Sequence, residues 1–383
     1  MVKIKKDCIL IKPKDISPSS PLFKITGTFN PAAVRATNGD IVLYIRVVEE
    51  LIKKKDENYF YSPRLVGRGK YKIKIDRFEK EMVADSSEVD IVFKDETKRL
   101  TFISHFRKVI LDSSGFKVKS IEKNPSFFGI CTDGELGVED PRITKIDNLY
   151  HMTYVSLSRK ENISTSLAVS KDLKAWKRMG IIFGEQDKDV VLFPEKIKGE
   201  YVVFDRPESS FHFSPPHMWI AFSKDLISWG KLDAINLTKK GDWDYERSGA
   251  GAPPIKTDKG WLLIYHGVMS NTRKEVVEKI VERMEISDTL SGVLRKKDSI
   301  YCAGVALFDL NNPKKLLAKS EVPILFPMKR HEISTFENKR IIFPTGAVID
   351  KNGEDLLIFS GAGDLVTTVK KISLSRLFKK LKK

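Results

Sequence analysis

The chain has few cysteines and few histidines. Its 383 residues include six histidines and three cysteines, which are Cys8, Cys131 and Cys302. No Cys-x-x-Cys pair and no His-x-x-x-His pair occurs, so neither a common zinc site nor a disulfide framework is expected. The cysteine usage predicts a reducing compartment.

Long apolar runs are also absent. Residues 1–7 lack the apolar core of a signal peptide, and no stretch approaches the roughly 20 residues that span a bilayer. A Gly-x-Ser-x-Gly nucleophile elbow and a glycine-rich phosphate loop are missing too. We therefore expect a cytoplasmic protein that does not contact membranes.

The charge is strongly positive. Lys and Arg number 67 against 51 Asp and Glu, a formal net charge of +16. Such a surface attracts anions, including phosphate, phosphosugars and nucleic acid. The lysines are nevertheless spread along the chain, and only Lys53–Lys55 and the last five residues are dense. Because no nucleic-acid-binding module is present, no nucleic-acid partner is predicted.

Runs of strand length, separated by Gly, Asn, Asp and Lys turns, make up most of the chain. Helices are predicted only for Lys274 to Glu285 and for Leu374 to Leu381. Five prolines each open a pair of strands: Asn30-Pro31, Asp140-Pro141, Phe193-Pro194, Pro253-Pro254 and Phe343-Pro344. Two insertions interrupt the repeats, at about 51–100 and 268–300. The pattern predicts an all-β fold, a single five-bladed β-propeller domain over residues 1–383 with a helical insertion and a short C-terminal helix.

A second repeat supports this fold. Ser170 to Trp176 reads Ser-Lys-Asp-Leu-Lys-Ala-Trp and recurs 53 residues later as Ser223 to Trp229, Ser-Lys-Asp-Leu-Ile-Ser-Trp. Ser and Asp close turns on the backbone, and Trp packs between sheets. Both copies are interpreted as structural.

In a propeller the inner strands converge on a central channel, so equivalent residues of different repeats become neighbours. Asp140, in Gly-Val-Glu-Asp-Pro-Arg, is predicted to be the catalytic acid because the following proline holds it in an extended conformation. The competing interpretation is that Glu139 and Asp140 only cap a turn. Other candidates lie at strand openings and strand ends: Asn30, Arg46, Arg159, Lys196, Asp205, Arg206, His217, His266 and Asp364.

Several of these candidates are cations from different repeats, which favours a phosphate-binding pocket, because arginine matches phosphate oxygens bidentately. Structural alternatives stay open. Arg46 and Arg159 could be salt-bridge or turn residues, Lys196 and Arg206 could pair with acids of their own hairpin, and His266 could be a core residue.

Six motifs occur in order. They are Gly-Val-Glu-Asp-Pro-Arg at 137–142, Phe-Pro-Glu-Lys-Ile at 193–197, Asp-Arg-Pro at 205–207, His-Met-Trp-Ile-Ala at 217–221, Gly-Ala-Gly-Ala-Pro-Pro at 249–254 and Phe-Pro-Thr-Gly-Ala at 343–347. Together they resemble glycoside hydrolase family 130, over about Asn30 to Leu374.

That resemblance implies a five-bladed propeller and, for most members, a β-mannoside phosphorylase. By motif, Asp140 is implied as the general acid, acting directly or through a hydroxyl of the bound mannose. Phosphate ligands are then assigned to Arg159, Lys196, Arg206, Arg46 and His266. Sugar contacts are assigned to Asn30, Glu139, Asp205, His217 and Asp364.

The predicted activity is inverting phosphorolysis of a β-mannoside by inorganic phosphate, giving α-mannose 1-phosphate. A β-1,2 linkage is favoured over β-1,4 on overall resemblance. The expected partners are a mannooligosaccharide and phosphate as co-substrate, with no metal or organic cofactor, and a homo-oligomer is left open. The alternatives are a β-mannosidase that uses water, a carbohydrate-binding propeller without catalysis, and a β-fructosidase or arabinanase-type hydrolase.

Overall fold

The computed structural model describes residues 2–208, 213–270, 274–284, 299–334 and 339–382. Within these residues the chain is all-β, with two short α-helices, which confirms the predicted fold class. Over the same residues, no helix combines the length and the apolar character needed to cross a membrane.

The strands follow one another along the whole chain. In order they are β1 (Ile4–Ile11), β2 (Phe23–Arg35), β3 (Ile41–Leu51), β4 (Tyr59–Leu65), β5 (Ile73–Glu79), β6 (Val83–Ser86), β7 (Asp90–Phe93), β8 (Lys98–Leu100), β9 (Phe102–Leu111), β10 (Val118–Ile121), β11 (Phe127–Phe128), β12 (Gly137–Ile146), β13 (Leu149–Ser158), β14 (Asn162–Ser170), β15 (Lys177–Phe183), β16 (Asp187–Leu192), β17 (Tyr201–Pro207), β18 (Trp219–Ser223), β19 (Gly230–Ala234), β20 (Arg247–Ala250), β21 (Ile255–Thr257), β22 (Gly260–Ser270), β23 (Ser299–Phe308), β24 (Leu316–Ser320), β25 (Arg340–Ile349), β26 (Asp355–Ala362), β27 (Val366–Ser373) and β28 (Leu381–Lys382). The helices are α1 (Lys274–Arg283) and α2 (Leu374–Phe378).

Most strands belong to antiparallel meanders that succeed one another in sequence. Their orders are β2-β3-β9-β10, β12-β13-β14-β15 and β16-β17-β18-β19, followed by β20-β22-β23-β24 and β25-β26-β27-β1. The last two are joined edge to edge by a short parallel pairing of β23 with β25. The N-terminal strand β1, which was not predicted, completes the final meander by pairing with β27.

Apolar clusters lie between successive meanders. Tyr44 and Met152 belong to a cluster that joins the first meander to the second, and further clusters join the second to the third, the third to the fourth and the fourth to the fifth. A last cluster, which includes Leu43 and Phe359, packs the fifth meander against the first. Because the series closes on itself, the sheets have the arrangement of a β-propeller.

The innermost strands are interrupted near their middle. The register shifts between Phe29 and Ala32, between Glu139 and Arg142, between Lys188 and Val191, and between Pro344 and Gly346. Three residues at these bulges, Asn30, Asp140 and Asp189, have positive φ angles of 47°, 48° and 57°. Asn and Asp tolerate this conformation better than most residues do, and bulges re-aim the side chains that they carry.

The predicted strand openings are therefore displaced. Pro31 and Pro141 lie inside β2 and β12, because a proline, which cannot donate a ladder hydrogen bond, is accommodated at a bulge. Phe193-Pro194 does not open a strand, since β16 has already ended at Leu192, and Ile197 forms only an isolated bridge to Glu200.

The first insertion forms two small sheets of its own. Strand β3 pairs directly with β9, and the residues between them build the sheets β4-β5 and β6-β7-β8. In the second insertion α1 packs on the cluster between the third and fourth meanders through Val277, Ile280 and Met284. Residues 285–298 of that insertion lie outside the described residues, as does the predicted last residue of the helix, Glu285.

The other local predictions are confirmed with one change. Ser170 Oγ accepts the backbone N–H of Leu173 at 3.0 Å, and Ser223 Oγ accepts that of Leu226 at 2.9 Å, as expected for structural turns. The C-terminal helix ends at Phe378 and not at Leu381. Leu381 and Lys382 instead extend the fourth meander by pairing with β24.

Candidate active site

A cavity of about 250 Å³ lies where the innermost strands meet. Its lining comes from all the meanders and consists of Asn30, Arg46, Glu139, Asp140, Lys188, Asp189, Arg206, Arg247, His266, Tyr301, Lys339, Ile341, Phe343 and Asp364. Seven of these were candidates from the sequence: Asn30, Arg46, Glu139, Asp140, Arg206, His266 and Asp364. The convergence of strand bulges therefore brings together residues that are up to 334 positions apart.

One end of the cavity carries Asp140. Its Oδ1 accepts a hydrogen bond from Asn30 Nδ2 at 2.8 Å and one from Arg46 Nη1 at 3.1 Å. Arg46 also forms an ion pair with Glu139. Gly361 packs so closely against Asn30 that an added Cβ would lie 2.0 Å from the amide oxygen. The carboxyl of Asp140 is thus held in one orientation by two donors of the first meander, and it keeps some exposure to the cavity at 17%.

Arg142 holds the backbone beneath Asp140. Its guanidinium donates to the Asp140 carbonyl oxygen at 2.8 Å, to the Gly251 carbonyl oxygen at 3.3 Å and to Asp189 Oδ1 at 2.9 Å. The side chain is 2% exposed and does not line the cavity. This geometry agrees with a loop-holding role for Arg142.

Asp189 is the centre of a buried cluster of charges. Its carboxylate accepts from Arg142 at 2.9 Å and from Arg206 at 2.7 Å, and His266 Nε2 lies 3.5 Å away. Burial alone would raise the pKa of this carboxyl, but Arg206, His266 and Arg142 outweigh burial and hold the pKa well below its usual range. A Cβ at Gly249 would lie 2.7 Å from Asp189 Oδ2, so only glycine leaves room for the cluster.

The opposite end of the cavity is cationic. Arg206 donates to Glu208 Oε2 at 2.8 Å, and Arg247 donates to Glu208 Oε1 at 2.5 Å and to the Tyr301 hydroxyl at 3.2 Å. Lys188 lines the cavity without an ion pair to any carboxylate in the described part of the chain. Cations fixed by bonds to protein carboxylates, with a lysine beside them, form a preorganised site for an anion.

His266 is buried beside Asp189, with its ring centroid 4.5 Å from that of Phe343. Burial lowers the pKa of His266 to about 4; Asp189 opposes this shift, and the charges of Arg206 and Arg142 reinforce it. The imidazole is therefore neutral at pH 7 and can donate only one hydrogen bond to an anion.

We expect the depressed pKa of His266 to make the protein less stable in mild acid. The unfolded chain takes up a proton below pH 6.5, whereas the folded chain does so only near pH 4, so stability is full above pH 6.5 and falls as the pH drops through this window. The loss should reach roughly 3 kcal/mol. Denaturant unfolding of the wild type and of His266→Gln at pH 7, 5.5 and 4.5 measures it.

The variant is needed as a reference because Asp187 and Asp205 change the stability with pH in the direction opposite to that of His266. Burial, together with their mutual proximity in the case of Asp187, raises the pKa of both carboxyls. Their contribution to stability therefore falls as the pH rises. Only the difference between wild type and His266→Gln isolates the histidine, and equal pH dependences for the two proteins would contradict the assignment.

Four predicted site residues are not in the lining of this cavity: Arg159, Lys196, Asp205 and His217. Arg159 is 43% exposed at the end of β13, one strand outward, and pairs with Glu135. His217 precedes the third strand of its meander and donates Nε2–H to the Tyr245 carbonyl oxygen at 2.9 Å.

Lys196 and Asp205 lie outside the cavity lining because of the register of their strands. Lys196 is exposed on the turn that joins β16 to β17 at the end away from the cavity, with its Nζ 4.4 Å from the centroid of the Tyr201 ring. Asp205 precedes Arg206 on β17, and since neighbouring side chains on a strand alternate in direction, its buried carboxyl lies beside Asp187.

The sequence analysis missed Lys188, Asp189, Arg247, Tyr301 and Lys339. Asp189 is the bulge residue of the third meander and is equivalent to Asn30 and Asp140, but Val190 follows it where the other two have a proline. A search for Asp or Asn in the middle of each first strand would have found it. Among the described residues no group of three or more His, Cys, Asp or Glu side chains is arranged to hold a metal ion.

The fold and the cavity together define a propeller whose central cavity is lined both by a positioned carboxyl group, that of Asp140, and by a cluster of cations. The chain belongs to glycoside hydrolase family 130. The family's sequence model, described as beta-1,4-mannooligosaccharide phosphorylase, matches residues 92–383.

Characterised relatives and a solved structure agree with this membership. The chain is 29% identical over 360 residues to a beta-1,2-mannobiose phosphorylase of Listeria innocua, covering 93% of this chain and 91% of the relative. It is 34% identical over 241 residues to a 1,2-beta-oligomannan phosphorylase of Thermoanaerobacter, covering 62% and 69%. The solved Listeria innocua enzyme in complex with beta-1,2-mannobiose superposes with a TM-score of 0.79 at 27% identity, over 97% of this chain and 96% of the other.

Proposed function

We propose that the protein cleaves β-1,2-linked mannosides with inorganic phosphate and releases α-mannose 1-phosphate. The observation that carries the proposal is that one cavity is lined by Asp140 on the second meander and by Lys188, Arg206 and Arg247 on the third and fourth, which we take as its acid end and its cationic end. A displacement with inversion needs a proton donor on the leaving-group side of the sugar and a nucleophile on the other side.

In this mechanism the mannose to be transferred lies between the two ends. Asp140 gives its proton to the glycosidic oxygen, directly or through a hydroxyl of the mannose, and the bond from C1 to that oxygen breaks. A phosphate oxygen attacks C1 from the opposite face and forms the new bond. Phosphate is already an anionic nucleophile, so a second carboxylate to activate water is not required.

The other lining residues have roles that follow from their positions. Arg206 and Arg247 bind phosphate oxygens, and Lys188 adds a third positive charge. His266 and Tyr301 lie at the same end and offer single hydrogen bonds.

At the acid end the substrate is the sugar. Asn30, Glu139 and Asp364 contact its hydroxyls, while Arg46 holds the two acids apart from each other through its separate bonds to Glu139 and Asp140. Phosphate is the co-substrate, and no further cofactor enters the mechanism.

The linkage is inferred from the relatives. Both proteins named above as relatives act on β-1,2-linked mannosides by name, and a beta-1,4-mannooligosaccharide phosphorylase of Ruminococcus albus is 27% identical over only 59% of this chain. We also propose that the meanders are the blades of one five-bladed propeller domain, which the closed series of apolar clusters supports. The cytoplasmic location and the assembly state stay predictions.

Phosphate dependence is the direct test. Incubation with β-1,2-mannobiose should release mannose and α-mannose 1-phosphate when phosphate is present and neither product when it is absent. Release of two mannose molecules without phosphate would favour a β-mannosidase. Binding of mannobiose with no product under either condition would favour a carbohydrate-binding propeller.

Two lysines of one meander give a matched pair of variants. Lys188→Ala should raise the KM for phosphate about tenfold or more, because it removes one charged contact worth roughly 1.5–3 kcal/mol. Lys196→Ala should leave that KM unchanged, since Lys196 lies exposed at the far end of the same hairpin. Initial rates at varied phosphate and saturating mannobiose measure both. If Lys196→Ala raised the KM for phosphate and Lys188→Ala did not, Lys196 would be the phosphate ligand, as the family motif implies.

A further inference from the structure

A cavity of about 640 Å³ lies at the outer edge of the fourth meander, where β28 pairs with β24. Its walls are the segment 236–243, the helix α1 and the strands β24 and β28, and it shares no lining residue with the central cavity. Its volume is within the range of small-molecule sites. We propose that this outer cavity is a second anion site, separate from the catalytic one, and that it binds a small sugar phosphate.

Cations are concentrated in the wall of the outer cavity. Five of its seventeen lining residues are Lys or Arg, against 67 of 383 in the whole chain, and only two are acidic. The positive charge of the chain as a whole therefore does not account for this concentration. A cleft lined by charge of one sign raises the local concentration of ions of the opposite sign.

Both acids of the wall are paired with cations of the same wall. Asp242 Oδ2 lies 2.8 Å from Lys319 Nζ, and Glu321 Oε2 lies 3.9 Å from Arg283 Nη1. The two carboxylates are thus occupied by two of the five cations, and they do not neutralise the other three.

Those three cations are Lys239, Lys279 and Lys382, and none of them forms an ion pair with a carboxylate of the described residues. They come from three elements that are far apart in the chain: the segment before β20, the helix α1 and the strand β28. Lysine ammonium groups bind phosphate as point charges. A phosphate group in the outer cavity therefore meets cations that are not already committed to a carboxylate.

The rest of the lining suits a sugar better than a nucleotide. Asn236 and Thr238 bring amide and hydroxyl groups, which bond to sugar hydroxyls, and the half-buried Val276 and Leu316 offer apolar surface to C–H groups. Trp243, the aromatic residue of the lining, is 2% exposed and so presents no open ring face. A base would have no aromatic side chain on which to stack.

The wall is fixed to the body of the protein. Lys319 Nζ also lies 3.1 Å from Asp244 Oδ1, and the buried Asp244 carboxylate accepts the Tyr265 hydroxyl at 2.7 Å. The helix α1 packs through its apolar residues on the cluster between the third and fourth meanders. Little of the wall has to be ordered when a ligand binds, and preorganisation of this kind favours affinity.

The test is calorimetric titration with glucose 6-phosphate, which requires no turnover and is therefore independent of the proposed phosphorolysis. Lys279→Glu should raise the Kd about tenfold or more, because repulsion replaces a charged contact with the phosphate. Lys224→Glu makes the same change of charge at an exposed lysine in the Ser223 turn, outside the cavity, and should leave the Kd at the wild-type value. Both variants should keep the wild-type unfolding temperature, since both lysines are exposed.

Further titrations determine the ligand class and the location. Glucose should not bind to the outer cavity, and inorganic phosphate and adenosine 5′-monophosphate should displace glucose 6-phosphate only weakly. Equal competition by either anion would overturn the assignment to a sugar phosphate. Lys188→Ala, in the central cavity, should leave the Kd for glucose 6-phosphate unchanged. No binding by the wild type, a loss of binding with Lys188→Ala but not with Lys279→Glu, or an equal loss with Lys224→Glu would overturn the outer cavity as an anion site.

Discussion

Asp140→Asn should lower kcat for the phosphorolysis of β-1,2-mannobiose by about 10³-fold, the usual contribution of a general acid. Asparagine has nearly the shape of aspartate and can still accept hydrogen bonds from Asn30 and Arg46, so the cavity should keep its form. It cannot give a proton to the glycosidic oxygen. Production of α-mannose 1-phosphate at saturating substrate measures the loss, and the KM for phosphate should change little.

An activated substrate makes the test specific for proton donation. A 4-nitrophenyl β-mannoside carries a leaving group that needs little protonation, so Asp140→Asn should lose far less activity on it than on mannobiose. Asp147→Asn is the matched control, because Asp147 is exposed in the turn at the other end of the same hairpin. Equal losses on both substrates would show that Asp140 only positions the site, and an unchanged kcat would remove it from the mechanism.

Asp189→Asn should have the second-largest effect, on both stability and phosphate binding. It leaves the guanidinium groups of Arg142 and Arg206 buried with less negative charge, and removal of one partner from a buried ion pair costs about 3–5 kcal/mol. Arg206 should also lose its orientation toward phosphate. Denaturant unfolding measures the first effect, and the KM for phosphate against kcat measures the second.

The pH dependence separates a charge effect from a packing effect. Asp189 has a depressed pKa when folded, so its stabilisation is present above the ordinary aspartate pKa and is lost as the pH falls below it. The difference between wild type and Asp189→Asn should therefore shrink in acid. Asp233→Asn, at a surface aspartate that is 56% exposed, should change stability by no more than about 0.5 kcal/mol. A constant difference at all pH values would point to packing alone.

The candidate site shows where sequence reasoning works. Asn30 and Asp140 were found because a proline follows each of them, and that proline marks a strand bulge that faces the channel. Arg206 was found near the end of its second strand, and His266 was found on a second strand that continues past it to Ser270. In these cases the feature that is visible in the sequence also determines where the side chain lies in the fold, so the sequence pattern predicts the position of the residue.

The differences between the predicted site residues and the observed cavity lining have a common physical origin. On the third meander the proline at Pro194 lies beyond the end of β16, and the bulge falls at Asp189 without a proline. An alignment of the repeats by their prolines therefore shifts the predicted position of this hairpin by several residues. The shift places Lys196 at the site in the prediction and leaves out Lys188. Asp205 and Arg206 are neighbours in sequence, but alternation along the strand separates their side chains.

The sequence by itself determined the all-β fold, the turns at Ser170 and Ser223 and the family, and it nominated Asp140 as the acid, because each depends on short patterns of residue type and spacing. Only the tertiary structure decided which cations face that acid. The register of each innermost strand and the closure of the chain by β1 both depend on contacts between residues far apart in the chain, and local sequence carries little information about such contacts.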